Sequence, residues 1–225
     1  MHKPRGVLTT LADPNDRRCV AALLPQDWRG RVGVVGRLDK PTTGALLVTD
    51  DGDLNNLLTA PASHVWKRYI LTVVGEPDEL DPRLERLRQG VAISGVRTKP
   101  ARCGVVAGTG RADGGDGRLS EVWIEIAEGR FHQVRRMANQ VQLKFVHLHR
   151  AAIGPLELGA LAPGEWRSLR ADEVDDLYTA AGGRDAPIVG ARTALRRHLD
   201  AGELDPIDAA LVRRYFDGLV SGIDT

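Results

Sequence analysis

Asp39 is the residue best placed to do chemistry in this chain. It stands in Gly36-Arg37-Leu38-Asp39-Lys40-Pro41-Thr42-Thr43-Gly44, with a short apolar run, Val32 to Val35, before it and another, Ala45 to Thr49, after it. Two strands joined by such a Gly/Pro/Thr loop hold one carboxylate at a cleft while the sheet fixes its position. A carboxylate presented this way can act as nucleophile or as general base. The same composition suits a plain surface turn, because Asp, Pro and Gly are turn residues anyway. Chemistry alone favours that plainer reading.

Other segments carry reactive or charged groups. Lys67-Arg68-Tyr69-Ile70-Leu71-Thr72-Val73 reads as a strand opening with two cations and a tyrosine. In Glu128-Gly129-Arg130-Phe131-His132-Gln133-Val134-Arg135-Arg136-Met137, Phe131 and Val134 begin a helical spacing that Ala138 and Val141 continue. His147 and His149 share one face of a strand, and His-x-His is a spacing zinc sites use. With His132 they make a zinc hydrolase one competing reading, against an ordinary structural role. Asp39-Lys40-Pro41-Thr42 faintly echoes the phosphorylated loop of ion pumps, with Asp50 and Asp51 as magnesium ligands. Pro41 interrupts that motif, and the chain lacks the membrane helices such pumps need. An RNA-binding module without catalysis is a further reading.

The Asp39 loop resembles the GRLD-x-x-TxG motif of pseudouridine synthases of the RsuA-like branch, which modify ribosomal RNA. Three more segments follow that family's order. His2-Lys3-Pro4-Arg5-Gly6-Val7 resembles its opening Lys-Pro-x-Gly strand, the Lys67 segment its basic-tyrosine strand, and the Glu128 segment its E-G-R-x-x-Q-V-R/K-R-M motif. His147-Leu148-His149-Arg150 through Gly164-Glu165-Trp166-Arg167 matches its closing stretch. One such motif can arise by chance; four in order make a strong signal, spanning roughly residues 2 to 180.

The resemblance implies the pseudouridine synthase fold, a long bent sheet with the active-site cleft across its middle. It implies isomerisation of uridine in RNA without metal or other cofactor, with RNA as the partner. Asp39 becomes the carboxylate that acts at the ribose, Arg135 the cation that pairs with it, and Tyr69 the ring that stacks on the base. Val134 packs beside Tyr69. Arg37, Lys67, Arg68, Arg130, His132 and Arg136 become candidate substrate contacts, with Lys3 and Arg5 as phosphate or loop contacts. Arg136 points about 100° away from Arg135 on a helix, toward a phosphate or the protein surface. Gly36 and Gly44 allow the turns around Asp39, and the hydroxyls of Thr42 and Thr43 can brace the loop. Many enzymes of this branch carry a small RNA-binding domain first. Here the first motif begins at Lys3, so the sequence reads as a form without it, whether short by nature or by trimming.

The elements that must position these groups follow from periodicity. Val7–Thr10, Val32–Val35, Ala45–Thr49, Lys67–Val74, Pro100–Val106, Leu119–Ala127 and Lys144–Leu148 read as strands, and 154–169 as strand and turn. A helix capped within Asp50–Asp53 buries Leu54, Leu57 and Leu58. A second uses Leu80, Leu84, Leu87 and Val91, and another runs from Asp172 to Gly182-Gly183. The Gly-rich stretch 108–117 reads as a hairpin tip. Short connections and an excess of strands predict an α+β fold on a mixed, largely antiparallel sheet. The catalytic domain is expected over residues 1–183. Residues 184–225 form a separate extension, with helices at Ala191–Ala201 and Asp205–Ser221, the second presenting Ile207, Leu211, Tyr215 and Leu219 on one face.

Composition bounds the rest. Residues 1–150 of the 225 carry 23 Lys and Arg against 17 Asp and Glu, a net of +6, and residues 151–225 carry 8 against 13, a net of −5. The motif-bearing part is thus the basic one, as a phosphate-binding surface requires. Two cysteines, Cys19 and Cys103, make no disulfide framework, and no apolar run approaches the ~20 residues of a membrane span. A cytoplasmic, monomeric RNA-modifying protein is expected, with a protein partner as a further use of the C-terminal helices.

Overall fold

The computed structural model describes residues 1–12, 18–106, 111–112, 118–184 and 201–202. Its elements in chain order are β1 (His2–Lys3), β2 (Gly33–Val35), β3 (Thr43–Ala45), β4 (Leu47–Thr49), α1 (Gly52–Thr59), β5 (Lys67–Val74), α2 (Pro82–Gln89), β6 (Ala92–Ile93), β7 (Val96–Arg97), β8 (Arg102–Val105), β9 (Arg111–Ala112), β10 (Arg118–Ile126), α3 (Gln133–Gln140), β11 (Phe145–Ile153), β12 (Leu156–Glu157) and α4 (Ala171–Ala180). Eight strands form one sheet in the order β1-β3-β11-β5-β10-β8, with β12 on β11 and β9 on β10. All its pairs are antiparallel except β3 with β11. The fold is therefore α+β on a mixed, largely antiparallel sheet. Register shifts at Phe145/His147 and Arg150/Ala152 mark where β11 departs from regular pairing, and such irregularities bend a sheet.

Alternation along the long strands decides which face is covered. Leu71 and Val73 of β5, Val122, Ile124 and Ile126 of β10 and Leu148 of β11 are buried together with Leu84 and Leu87 of α2 and Val134, Met137 and Ala138 of α3. A second cluster joins α1 (Leu54, Leu57, Leu58) and α4 (Leu177, Tyr178) to Val35, Ala45, Leu47 and Ile153. Asp51 caps α1 by accepting from the amides of Asp53 and Leu54, both at 3.0 Å, and its other oxygen accepts from the Tyr178 hydroxyl at 2.6 Å. Burial and that carboxylate push the Tyr178 phenol up to about 12. A third, smaller cluster holds Val7, Val20, Leu38 and Leu46. Tyr69 packs against both the first and the third, so it sits where the α2/α3 half meets the Asp39 loop.

Several expected elements differ. Val7–Thr10 is not a strand; Leu8 makes a single bridge to Cys19, and the opening strand is His2–Lys3. The hydroxyl of Thr9 and the amide of Gly6 bond to the Asp39 loop instead of to a ladder. Ala45–Thr49 splits at buried Leu46: β3 joins the large sheet and β4 pairs only with β2. Leu80 precedes α2 and is exposed, and Val91 follows it, buried. Phe131 lies outside α3, although it fits the helical spacing of Val134 and Ala138. Within the expected tip at 108–117, Arg111–Ala112 adds strand β9 to β10. The two C-terminal helices expected after residue 184 lie outside the described residues, apart from 201–202. Among the described residues no helix is long and apolar enough to cross a membrane.

Candidate active site

The Asp39 loop is clamped on both sides of its carboxylate. Thr9 Oγ1 donates to the Leu38 carbonyl at 2.6 Å and accepts from the Leu38 amide at 3.2 Å. The Lys40 carbonyl accepts from the Gly6 amide at 2.8 Å and from Lys3 Nζ at 3.3 Å. Lys3 is wholly buried, and its ammonium also donates to the carbonyls of Val7 at 2.7 Å and Pro4 at 3.1 Å. Burial lowers it to about 8, with the charge of Asp39 working the other way. The opening Lys-Pro-x-Gly segment is thus a brace for the loop, and Lys3 is a loop contact rather than a phosphate contact.

The end of the loop is fixed by the sheet. The Thr42 amide closes a turn on the Asp39 carbonyl at 3.0 Å. The buried Thr42 hydroxyl has no partner among the described residues, and there its backbone braces the loop. Thr43 does use its hydroxyl, toward His147 Nε2 at 3.0 Å and His149 Nδ1 at 2.8 Å. Gly44 adopts φ +114°, and a Cβ there would come within 2.2 Å of the Arg150 carbonyl oxygen. The parallel pairing of β3 with β11 at Gly44 and Arg150 therefore requires glycine.

The carboxylate meets two groups from the other half of the molecule. His132 Nε2 is 3.3 Å from Asp39 Oδ1, and Arg135 Nε is 4.0 Å from Oδ2. The Asp39 side chain is 24% exposed, half-buried but open to a ligand. Both partners are set by the turn into α3. Gln133 Nε2 donates to Glu128 Oε1 at 2.6 Å, and Gln133 Oε1 accepts from the Arg130 amide at 2.9 Å. Glu128 also accepts from the Lys99 amide at 3.0 Å. These two buried side chains hold the turn in which His132 takes φ +51°, a region non-glycine residues enter only when surroundings over-determine them. The guanidinium of Arg135 lies 5.4 Å from the Phe145 ring centroid.

Tyr69 is half-buried on β5, with Arg150 and Ile124 as its cross-strand partners. Val134, buried, belongs to the cluster against which Tyr69 packs. Arg37 is exposed beside the loop. Lys67 is half-buried and lowered to about 8 by burial and then by Arg150. Three expected contacts are engaged elsewhere. Arg68, one residue out of phase with Tyr69, lies on the opposite sheet face and bonds Glu125 at 2.8 Å and Glu157 at 3.1 Å. Arg130 pairs with Glu128 at 3.3 Å and donates to the carbonyls of Val96 and Arg97. Arg136 bonds Ser94 Oγ, away from Asp39 as helix geometry requires.

Residues 1–140 match the RNA pseudouridylate synthase family. The chain belongs to that family. It is 37% identical over 176 residues to an uncharacterized RNA pseudouridine synthase, YtzG, of Bacillus subtilis, covering 77% of this chain and 70% of the relative. It is 36% identical over 177 residues to the ribosomal small subunit pseudouridine synthase A of Escherichia coli, covering 77% and 71%. A crystal structure of a pseudouridylate synthase superposes with a TM-score of 0.65 at 32% identity, covering 79% of this chain and 71% of that one. The chain is thus an isomerase that makes pseudouridine in RNA.

In this pseudouridine synthase a cavity of about 520 Å³ lies away from Asp39. It is walled by Met1, Trp28, Leu54, Leu158, Trp166 and Leu177. His147 and His149 both face the Thr43 hydroxyl, and among the described residues no three His, Cys, Asp or Glu side chains are arranged to hold a metal. Glu128 and Gln133, which carry no individual role in the sequence reading, brace the motif from buried positions.

Proposed function

We propose that Asp39 acts at the ribose of a uridine in ribosomal RNA, and that small-subunit ribosomal RNA is the substrate. The observation that carries this is a half-buried carboxylate, clamped at residues 38 and 40, with His132 and Arg135 on its two oxygens. The name of the Escherichia coli relative supports the choice of RNA.

The reaction breaks the bond from C1′ to N1, turns the base, and joins C1′ to C5; C5 gives up its proton and N1 ends protonated. Asp39 either attacks C1′ or takes the C2′ proton to give a glycal, and its position suits both routes. Arg135 favours the ionised carboxylate by its charge. The uracil must leave its stack, at a cost of a few kcal/mol. The Tyr69 ring recovers part of that by stacking, and its hydroxyl assists loss of the C5 proton. Val134 backs the base. Arg37, Lys67 and His132 contact the RNA directly. Arg68, Arg130 and Arg136 hold the protein's own frame, since each already has a protein partner.

Residues 1–183 are the catalytic unit in this reading, acting as a cytoplasmic monomer. Residues 184–225 pack on that unit or meet a protein partner. The test is to map pseudouridines in ribosomal RNA from cells with and without this protein, then to treat the unmodified transcript with purified enzyme. Loss of one or a few small-subunit pseudouridines, restored in vitro, is expected. Unchanged ribosomal RNA of both subunits, with no conversion in vitro, would overturn the assignment.

A further inference from the structure

Of the Phe, Trp and Tyr side chains among the described residues only two are exposed, Phe131 at 75% and Trp166 at 38%. Trp166 leans on Trp28, with centroids 4.7 Å apart. Phe131 stacks on the imidazole of His132, with centroids 3.7 Å apart and planes 24° apart. That imidazole is the group 3.3 Å from the Asp39 carboxylate. Carboxylate, imidazole and phenyl thus stand in series, and the phenyl turns its second face to solvent. Among the described residues nothing in the packing requires this. Phe131 precedes α3, contributes to none of the buried clusters, and sits on a turn already held by Glu128 and Gln133.

The surroundings suit a nucleic acid. Arg130 precedes Phe131 and bonds the carbonyl of Val96, which is itself 57% exposed. Arg135 and Arg136 follow on α3. These guanidinium groups are held by protein partners, so their positive charge makes the surroundings favourable to a phosphate without a direct contact, and the exposed ring itself offers the π-face on which an unpaired base stacks. A uridine drawn out to Asp39 leaves a gap in its strand, and a flanking base loses a stacking neighbour.

The geometry points to Phe131 as a stacking platform for the unpaired nucleotide next to the target uridine, a subsite that positions the RNA and does no chemistry. This rests on the RNA reading above. It makes the order Phe131, His132, Asp39 a short ruler: the flanking base lies on one ring while the target lies beyond the next.

The test uses the full chain and a ribosomal RNA fragment containing the uridine that the wild-type enzyme converts. Phe131→Ala should raise KM about tenfold, the loss expected for one base–aromatic stack, while kcat at saturating RNA changes little. Phe131→Trp should keep KM near wild type, whereas Phe131→Leu, apolar but without a π-face, should behave like Ala. With 2-aminopurine replacing the flanking nucleotide, wild type and Phe131→Trp should quench its fluorescence and Phe131→Ala should not. An unchanged KM in Phe131→Ala would overturn the inference. So would full function in Phe131→Leu, or a lower melting temperature with normal KM, which would mean that the ring is covered by protein. If wild type converts no uridine, the proposed function fails first, and the Phe131 series is not reached.

Discussion

Thr9 and Leu38 exchange hydrogen bonds through a single hydroxyl, 2.6 Å to the Leu38 carbonyl and 3.2 Å from its amide. The residue before Asp39 is thereby fixed by a segment almost thirty positions earlier in the chain. Thr9→Val keeps the shape and removes the hydroxyl, stranding a buried amide and carbonyl. The expected cost is about 1–3 kcal/mol of stability, read in denaturant melts. Turnover should fall about tenfold or more with RNA affinity nearly unchanged, because a displaced carboxylate loses its attack geometry. A Thr9→Val enzyme with wild-type turnover would show that the clamp does not position Asp39.

The histidines behind the loop make stability sensitive to acid. Burial, then the charges of His2 and His147, lower His149 from 6.5 to about 4; burial and Arg5 lower His147 as well, against Glu121. The native state thus refuses a proton that the unfolded chain accepts between pH 6.5 and 4. Stability contributed by neutral His149 is complete above 6.5 and is lost as pH falls through that window. At pH 5 the loss is on the order of 1 kcal/mol, because solvent screens part of the effect on a half-buried imidazole. The melting temperature of wild type should therefore drop further between pH 7 and pH 5 than that of His149→Gln. Parallel drops would contradict the assignment.

Tyr69 combines a ring and a hydroxyl whose roles separate by substitution. Tyr69→Phe should keep RNA affinity and slow turnover, and Tyr69→Ala should lose both, apart from any stability lost with the ring. Kinetics at saturating RNA, together with a melt, distinguish these. Normal kinetics in the alanine variant would reduce Tyr69 to a packing residue of β5.

Much of this was legible in the sequence where local pattern and final packing agree. Lys67–Val74 reads as a strand and is one, because every second side chain meets the core. Asp51 with Leu54, Leu57 and Leu58 announces a capped helix on its own. Asp39 was found through its motif. What stayed hidden depends on contacts distant in sequence. Nothing local says that Lys3 is buried on three carbonyls, or that Leu46 breaks one apolar run into strands of two sheets. Phe131 fits a helical period yet lies one turn too early, since the αL conformation of His132 starts α3 after it. Arg68 and Tyr69 share a motif but not a face, which alternation would have separated had the partner carboxylates Glu125 and Glu157 been foreseen.

The C-terminal segment should serve stability more than affinity. Ile207, Leu211, Tyr215 and Leu219 recur at helical spacing, and a lone amphipathic helix of this length is marginal in water. The 520 Å³ cavity walled by Leu54, Trp166 and Leu177 offers apolar surface close to the end of α4. An acidic element is a poor RNA clamp. Deleting residues 185–225 should lower the melting temperature or promote aggregation while RNA binding at moderate salt stays within a few-fold. A deletion that melts normally but binds RNA much more weakly would make this segment part of the RNA interface.

The most direct measurement is conversion by Asp39→Asn. Asparagine preserves size and most hydrogen bonding and removes both the charge and the nucleophile. With purified protein and the RNA that wild type modifies, single-turnover pseudouridine formation should be abolished while RNA affinity stays within a few-fold. Residual conversion above about one hundredth of the wild-type rate, in a variant that folds and binds RNA normally, would contradict the assignment of Asp39 as the catalytic carboxylate.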